Sequence, residues 1–174
     1  MFGMAPKRVL ILAIVSLVIS SHTATSQTPP PPAKDDLYSL ALQASILQME
    51  REWGNLGKSS LEEGIPIDYH HMLVRKDPII TDGLPTAFED HSIEYLDDQE
   101  LIDRYRELNN SFWVLKIAPI RNQGTVLKIV VSTYRFSYKK GQLEFAYSDW
   151  SDVQLRYDCG QGAFVIVSVK LGGI

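Results

Sequence analysis

Residues 125–138 read TVLKIVVSTYRFSY. Leu127, Ile129 and Val131 hold the odd positions, and Tyr134, Phe136 and Tyr138 hold the even ones. Alternation of this kind marks a strand packed against a core, because successive side chains point to opposite faces of a sheet. The change of parity between Val131 and Tyr134 predicts a β-bulge near Ser132, and a bulge bends the strand that carries it. A long bent strand sets the expectation for the whole chain: a core held against a curved sheet.

The flanks extend that sheet. Phe112 to Ala118 alternates, with Trp113, Leu115 and Ile117 on one face, and Gln123-Gly124 supplies the turn into the long strand. After it, Lys139-Lys140-Gly141 reads as a hairpin turn. Leu143, Phe145, Tyr147, Val153, Leu155, Tyr157 and Cys159 share one parity along a second long or broken strand. Cys159, on the inward parity, is expected to be buried. Gly160-Gln161-Gly162 turns again, and Ala163 to Leu171 forms the last strand.

The N-terminal half is helical first. From Asp36 to Trp53, Leu37, Leu40, Ala41, Ala44 and Leu47 make one apolar stripe, and Leu42, Ile46, Met49 and Trp53 make a second, which predicts a helix buried over a wide arc. Ser60 to Gly64 suits a short helical turn. Tyr69 to Arg75 and His91 to Leu96 suit two strands that pair with each other, separated by turns at Asp77-Pro78 and Asp82-Gly83. Asp97 and Glu100 have capping-box spacing, and the helix they start buries Leu101, Ile102, Tyr105 and Leu108 before stopping at Asn109-Asn110. The expected fold class is α+β, with two main helices packed on a strongly bent antiparallel sheet of four to six strands.

This order of elements over Asp35 to Leu171, with the bulge near Ser132, resembles the ketosteroid-isomerase-like cone fold, also called the nuclear-transport-factor-type fold. The resemblance implies helices packed into the concave side of the sheet around a pocket. A cystatin-type fold, one helix gripped by an antiparallel sheet, is the runner-up. Neither fold dictates a function.

The first residues address compartment. Lys7 and Arg8 precede an apolar run from Val9 to Ser20, followed by small polar residues to Gln27, the order of a secretory signal peptide. The run is far shorter than the ~20 residues a membrane-spanning helix needs. Cleavage after Ser26 leaves 148 residues. Pro29 to Pro32 make residues 27–34 an extended linker, and residues 35–174 suffice for one domain with its own core. The single Cys excludes an internal disulfide. The expected location is exported, periplasmic or extracellular, with no stable membrane insertion after cleavage.

Without the signal the chain holds 15 basic and 21 acidic residues, a balance that argues against nucleic acid as a partner. The charge is uneven: Lys34 to Glu107 carries a net −10 and Leu108 to Ile174 a net +4. Solvated helix and strand faces account for such runs; a bipolar surface that orients a partner is the alternative.

Candidate chemistry is sparse. Asp149 and Ser151 fall on the parity of Tyr147 and Val153; a carboxylate buried there would have a raised pKa and could act as a general base. Ser148 to Asp152 also reads as a turn in which the acids face water. His70 or His71 is the acid–base partner such a site would use, although neighbours on a strand point to opposite faces and cannot share one metal ion. No His or Cys spacing typical of a metal site occurs, and neither a metal nor a cofactor is expected. Asp82 to Glu100 holds seven acids and no Lys or Arg, without calcium-loop spacing. Trp113, Tyr134, Tyr147 and Trp150, with Ser151, could line a pocket for an apolar ligand. The expectation is an exported binding or interaction domain without catalytic machinery, its partner an apolar small molecule or a protein. A small proton-transfer enzyme of isomerase or dehydratase type is the alternative, and a cystatin-like inhibitor the second alternative.

Overall fold

The computed structural model describes residues 34–54 and 67–173. The expected signal peptide (1–26), nearly all of the linker (27–34) and the turn at 60–64 lie outside the described residues. Helix α1 spans Lys34–Met49 and runs into a π-helical turn, Glu50–Gly54. There follow β1 (His71–Arg75), β2 (Ala87–Phe88), β3 (His91–Leu96), α2 (Asp98–Leu108), β4 (Phe112–Ile117), β5 (Arg121–Gln123), β6 (Val126–Lys139), β7 (Gln142–Asp158) and β8 (Ala163–Gly173). The class is α+β as expected, but the sheet has eight strands rather than four to six. Its order is β2-β3-β1-β4-β6-β7-β8, with β5 pairing β6 beyond the end of β4. Among the described residues no helix is long and apolar enough to cross a membrane.

The sheet is also mixed, not purely antiparallel. β1 and β3 pair as expected, yet in parallel, and β1 is parallel to β4 as well. A hairpin between β1 and β3 is ruled out by what joins them. Asp77 caps the turn after β1 by accepting from the Ile79 and Ile80 amides, and the chain returns through the short β2, which forms the hairpin with β3 instead.

The parity change in residues 125–138 has a different cause from a bulge in that strand. β6 is regular against β4 from Val131 to Phe136. The register shift lies between β6 and β7 at Thr133/Tyr134, where Thr133 faces Asp149 and Tyr134 faces Tyr147; the extra residue is Ser148, on β7. β6 changes parity because the core changes face. Ile129, Val131, Val153 and Leu155 pack with α1, Met72, Val74 and Ile93 in one cluster. Phe136, Phe112 and Val114 pack with Leu101 of α2 and Leu96 in another. Positions of opposite parity on one regular strand point to opposite faces, so α1 packs on one face of the sheet and α2 on the other.

The helices form for local reasons. α1 buries Leu37, Tyr38, Ala41, Leu42, Ser45, Ile46 and Met49, a single stripe at helical spacing that draws on both stripes of the sequence. α2 begins with the capping box: Glu100 N donates to Asp97 Oδ1 at 2.9 Å and Asp97 N donates to Glu100 Oε2 at 2.7 Å. It ends at Asn109, in the left-handed region at φ 48°, which Asn tolerates better than most residues.

Candidate functional site

Ionisable side chains from three distant segments meet where α1 ends. The π-helical turn starts at Glu50, and local widening of this kind is frequent at functional sites. The segment leading to β1 brings His70. The turn between β2 and β3 brings Asp90, and β3 opens with His91. His91 is 3% exposed. Its ring stacks flat on Phe88, centroids 4.7 Å apart and planes 5° from parallel, so its orientation is fixed by packing.

The four groups alternate. His91 Nε2 lies 3.1 Å from Glu50 Oε2, and His70 Nε2 lies 3.8 Å from Glu50 Oε1. On the other side, Asp90 Oδ1 is 3.1 Å from His91 Nδ1 and Asp90 Oδ2 is 3.4 Å from His70 Nδ1. Each imidazole therefore stands between the same two carboxylates. The Asp90–His91 approach is close but poorly aligned, and among the described residues the buried His91 Nδ1 has no hydrogen-bond partner. His70 is the outer member, with a side chain 60% exposed.

An open cleft of about 510 Å³ adjoins this cluster, lined by Glu50, Arg51, Gly54, Ile67, Tyr69 and His70, among others. Tyr69 has its phenol pushed up to about 12, first by burial, then by the charges of Asp149 and Glu50. The phenol stays protonated at neutral pH, and the cleft wall is acidic.

The expected residues distribute as follows. Asp149 sits half-buried in β7, accepting from Ser148 Oγ, inside a continuous strand rather than a turn. It touches neither His70 nor His71 by a hydrogen bond or ion pair; it reaches the cleft through its field on Tyr69. His71 points away from His70, bonding Ser92 Oγ at 2.8 Å and approaching Glu94 Oε2 at 3.3 Å, as alternation requires. Ser151 is fully buried beneath α1, its hydroxyl bonded to that of Ser45. Tyr134 and Tyr147 face each other across β6 and β7, 5.4 Å apart, on the opposite face. Trp150 joins that face opposite Ser132, and Trp113 stands opposite Arg135 on β4. These five side chains do not converge on one pocket. Instead Lys116 Nζ lies over the rings of Tyr134 and Phe145, at 4.6 and 3.3 Å.

Cys159 is exposed, not buried as its parity implies. β7 ends at Asp158, and Cys159 belongs to the turn into β8, where strand parity no longer governs orientation.

Glu50, Asp90 and His91 are the members of this candidate site that sequence spacing did not bring together. His70 and His91 are 21 positions apart, and Glu50 is on a helix whose apolar pattern hides it. What brings them together is the parallel pairing of His71 with Ser92, which sets the residues just before each, His70 and His91, side by side; no spacing in the sequence signals it. Comparison with protein-family models, with curated proteins and with solved structures finds no match.

Proposed function

We propose that the chain is a small exported binding domain whose ligand seats in the cleft between the end of α1 and the Ile67–His70 segment. The observation that carries this reading is convergence: Glu50, Tyr69 and His70 line the cleft, with His91 and Asp90 directly behind them. Concave sites that gather a few oriented polar groups are where ligands are usually held. Glu50 and Asp68 at the wall, with Asp90 and Asp149 nearby, outnumber Arg51, so the ligand is a cationic or donor-rich group rather than an anion. The signal-like N-terminus supports a role outside the cytoplasm.

The test is binding of small organic amines and guanidines, carboxylic acids and neutral sugars, read by ligand-observed NMR on the full chain and on Gly54→Phe. A Cβ at Gly54 would lie 3.5 Å from Glu50 Cγ and 3.9 Å from the Tyr69 ring, so a phenyl group there fills the cleft without altering its charges. Cationic compounds should bind the native protein selectively and be lost from the variant. Failure of every class to bind, or equal binding by Gly54→Phe, would overturn the proposal.

A further inference from the structure

We infer that Glu50, His70 and His91 form a binding site for a first-row divalent transition-metal ion, with zinc the leading occupant and Asp90 fixing both rings from behind. The inference rests on the cleft being the ligand site and names what that site takes.

Two imidazoles and one carboxylate are a ligand set that zinc and neighbouring ions accept, with a further position left for water or substrate. Here that further position opens on the cleft. One donor atom from each of the three residues lies within 4.8 Å of the others. Donors at 2.0–2.1 Å around a tetrahedral ion stand roughly 3.3 Å apart. His91 Nε2 lies 3.1 Å from Glu50 Oε2 and His70 Nε2 lies 3.8 Å from Glu50 Oε1, so the carboxylate faces both rings at separations around that value. Closing the set falls to His70, whose side chain is exposed and free to move toward the ion.

A neutral imidazole has one N–H and one lone pair. If both rings are neutral, they supply two N–H donors to two carboxylates that approach them at four places. A dication resolves this. With both Nε2 lone pairs and Glu50 turned to the ion, each Nδ1–H is free to donate to its own oxygen of Asp90. That is the carboxylate–histidine–metal arrangement that sets tautomer and ring orientation in known metal sites. It also gives the orphaned, buried Nδ1 of His91 a partner after a small rotation of Asp90. The cluster is not explained as ordinary surface ion pairing, because His91 is inside the protein and is held in plane by Phe88.

The sequence around the cluster agrees with a built position for Asp90. Glu89, just before it, has φ 48°, a left-handed conformation disfavoured for a residue with a Cβ. The turn that presents Asp90 to the two histidines is held against that preference.

The experiment is titration of tag-free full-length chain with Zn²⁺ by calorimetry, and with Co²⁺ by visible absorption. The variants are His70→Ala, Glu50→Gln, Asp90→Asn and the control His71→Ala. The native protein should bind one ion, with a Co²⁺ spectrum of low-coordinate N/O ligation. His70→Ala and Glu50→Gln should weaken binding by at least about tenfold, and Asp90→Asn by about 10–100-fold, while His71→Ala binds as the native protein does. His70 and Asp90 are exposed, so those variants are expected to fold; circular dichroism confirms it. No binding by native protein at 100 µM ion, or undiminished binding by the His70→Ala/Glu50→Gln double variant, overturns the inference. Organic cations that seat in the cleft while zinc does not would sink the metal site alone. Zinc that binds without any effect of Gly54→Phe on organic ligands would leave the metal site and remove the cleft reading.

Discussion

The Ser45 hydroxyl on α1 and the Ser151 hydroxyl on β7 are bonded to each other in a contact from which water is fully excluded. Ser45 Oγ also donates to Ala41 O at 2.7 Å. Its one proton is thus committed, and Ser151 must donate to Ser45. The two residues are not equivalent. Ser45→Ala strands a buried O–H donor and should cost about 1–3 kcal/mol; Ser151→Ala removes that donor and should cost about 1 kcal/mol. Urea melts of both single variants and the double variant check this. The double variant should be less destabilised than the sum of the singles, since the stranded group is gone.

Tyr69 offers a spectroscopic handle on the cleft. Its phenol is raised to about 12 by burial first and by Asp149 second. Asp149→Asn should lower that value without restoring the ordinary 10, because burial remains. Ultraviolet titration of tyrosinate, with Tyr69→Phe to assign the signal, measures it. The sign for stability follows. The folded state holds this proton longer than the unfolded chain, so the contribution is intact below pH 10 and is lost as pH rises from 10 towards 12.

Cys159 should react with a thiol reagent in the native protein nearly as fast as in urea, since it is exposed in the β7–β8 turn. Cys159→Ser should change stability by less than about 0.5 kcal/mol. A thiol that labels only after unfolding would contradict the turn.

Lys140 and Gly141 form the two-residue loop between β6 and β7, with φ of 51° and 79°. Positive φ at both central residues is the I′ hairpin geometry, which favours Asn-Gly. Lys140→Asn should therefore stabilise the protein by roughly 0.5–1 kcal/mol. Thermal unfolding would register a rise of a few degrees.

Much of the fold is legible in local chemistry. The α2 capping box, the hairpin turns and the long strands each rest on residues within four positions of one another, where spacing alone specifies geometry. What escaped were relations set by the other side of the molecule. The parity change in residues 125–138 looks like a bulge from within one strand; only the presence of α1 on one face and α2 on the other explains it. Parallel pairing of β1 with β3 depends on the return path through Asp77 and β2, and no single residue encodes it. The site shows the same limit. His70 stood out in the sequence as a candidate partner for Asp149, but it meets Glu50 and Asp90 instead. Its partners Glu50 and His91 were not legible, because the parallel register that aligns His70 with His91 is a tertiary fact. Asp149, the most conspicuous acid by parity, lies past the inserted Ser148 and on the α1 face, where it meets Tyr69 rather than a histidine.

The exchange of core faces along β6 bears on how the chain avoids pairing wrongly. In an ordinary two-faced strand, a slip of one residue costs the burial of a single apolar set. Here the same slip would turn Ile129 and Val131 towards water on one side and drive Phe136 out of its nest on the other. Both errors arrive together, because one regular strand carries both sets. Mispaired hairpins of β6 with β4 or β7 are thereby penalised twice, which disfavours off-register association of this central strand.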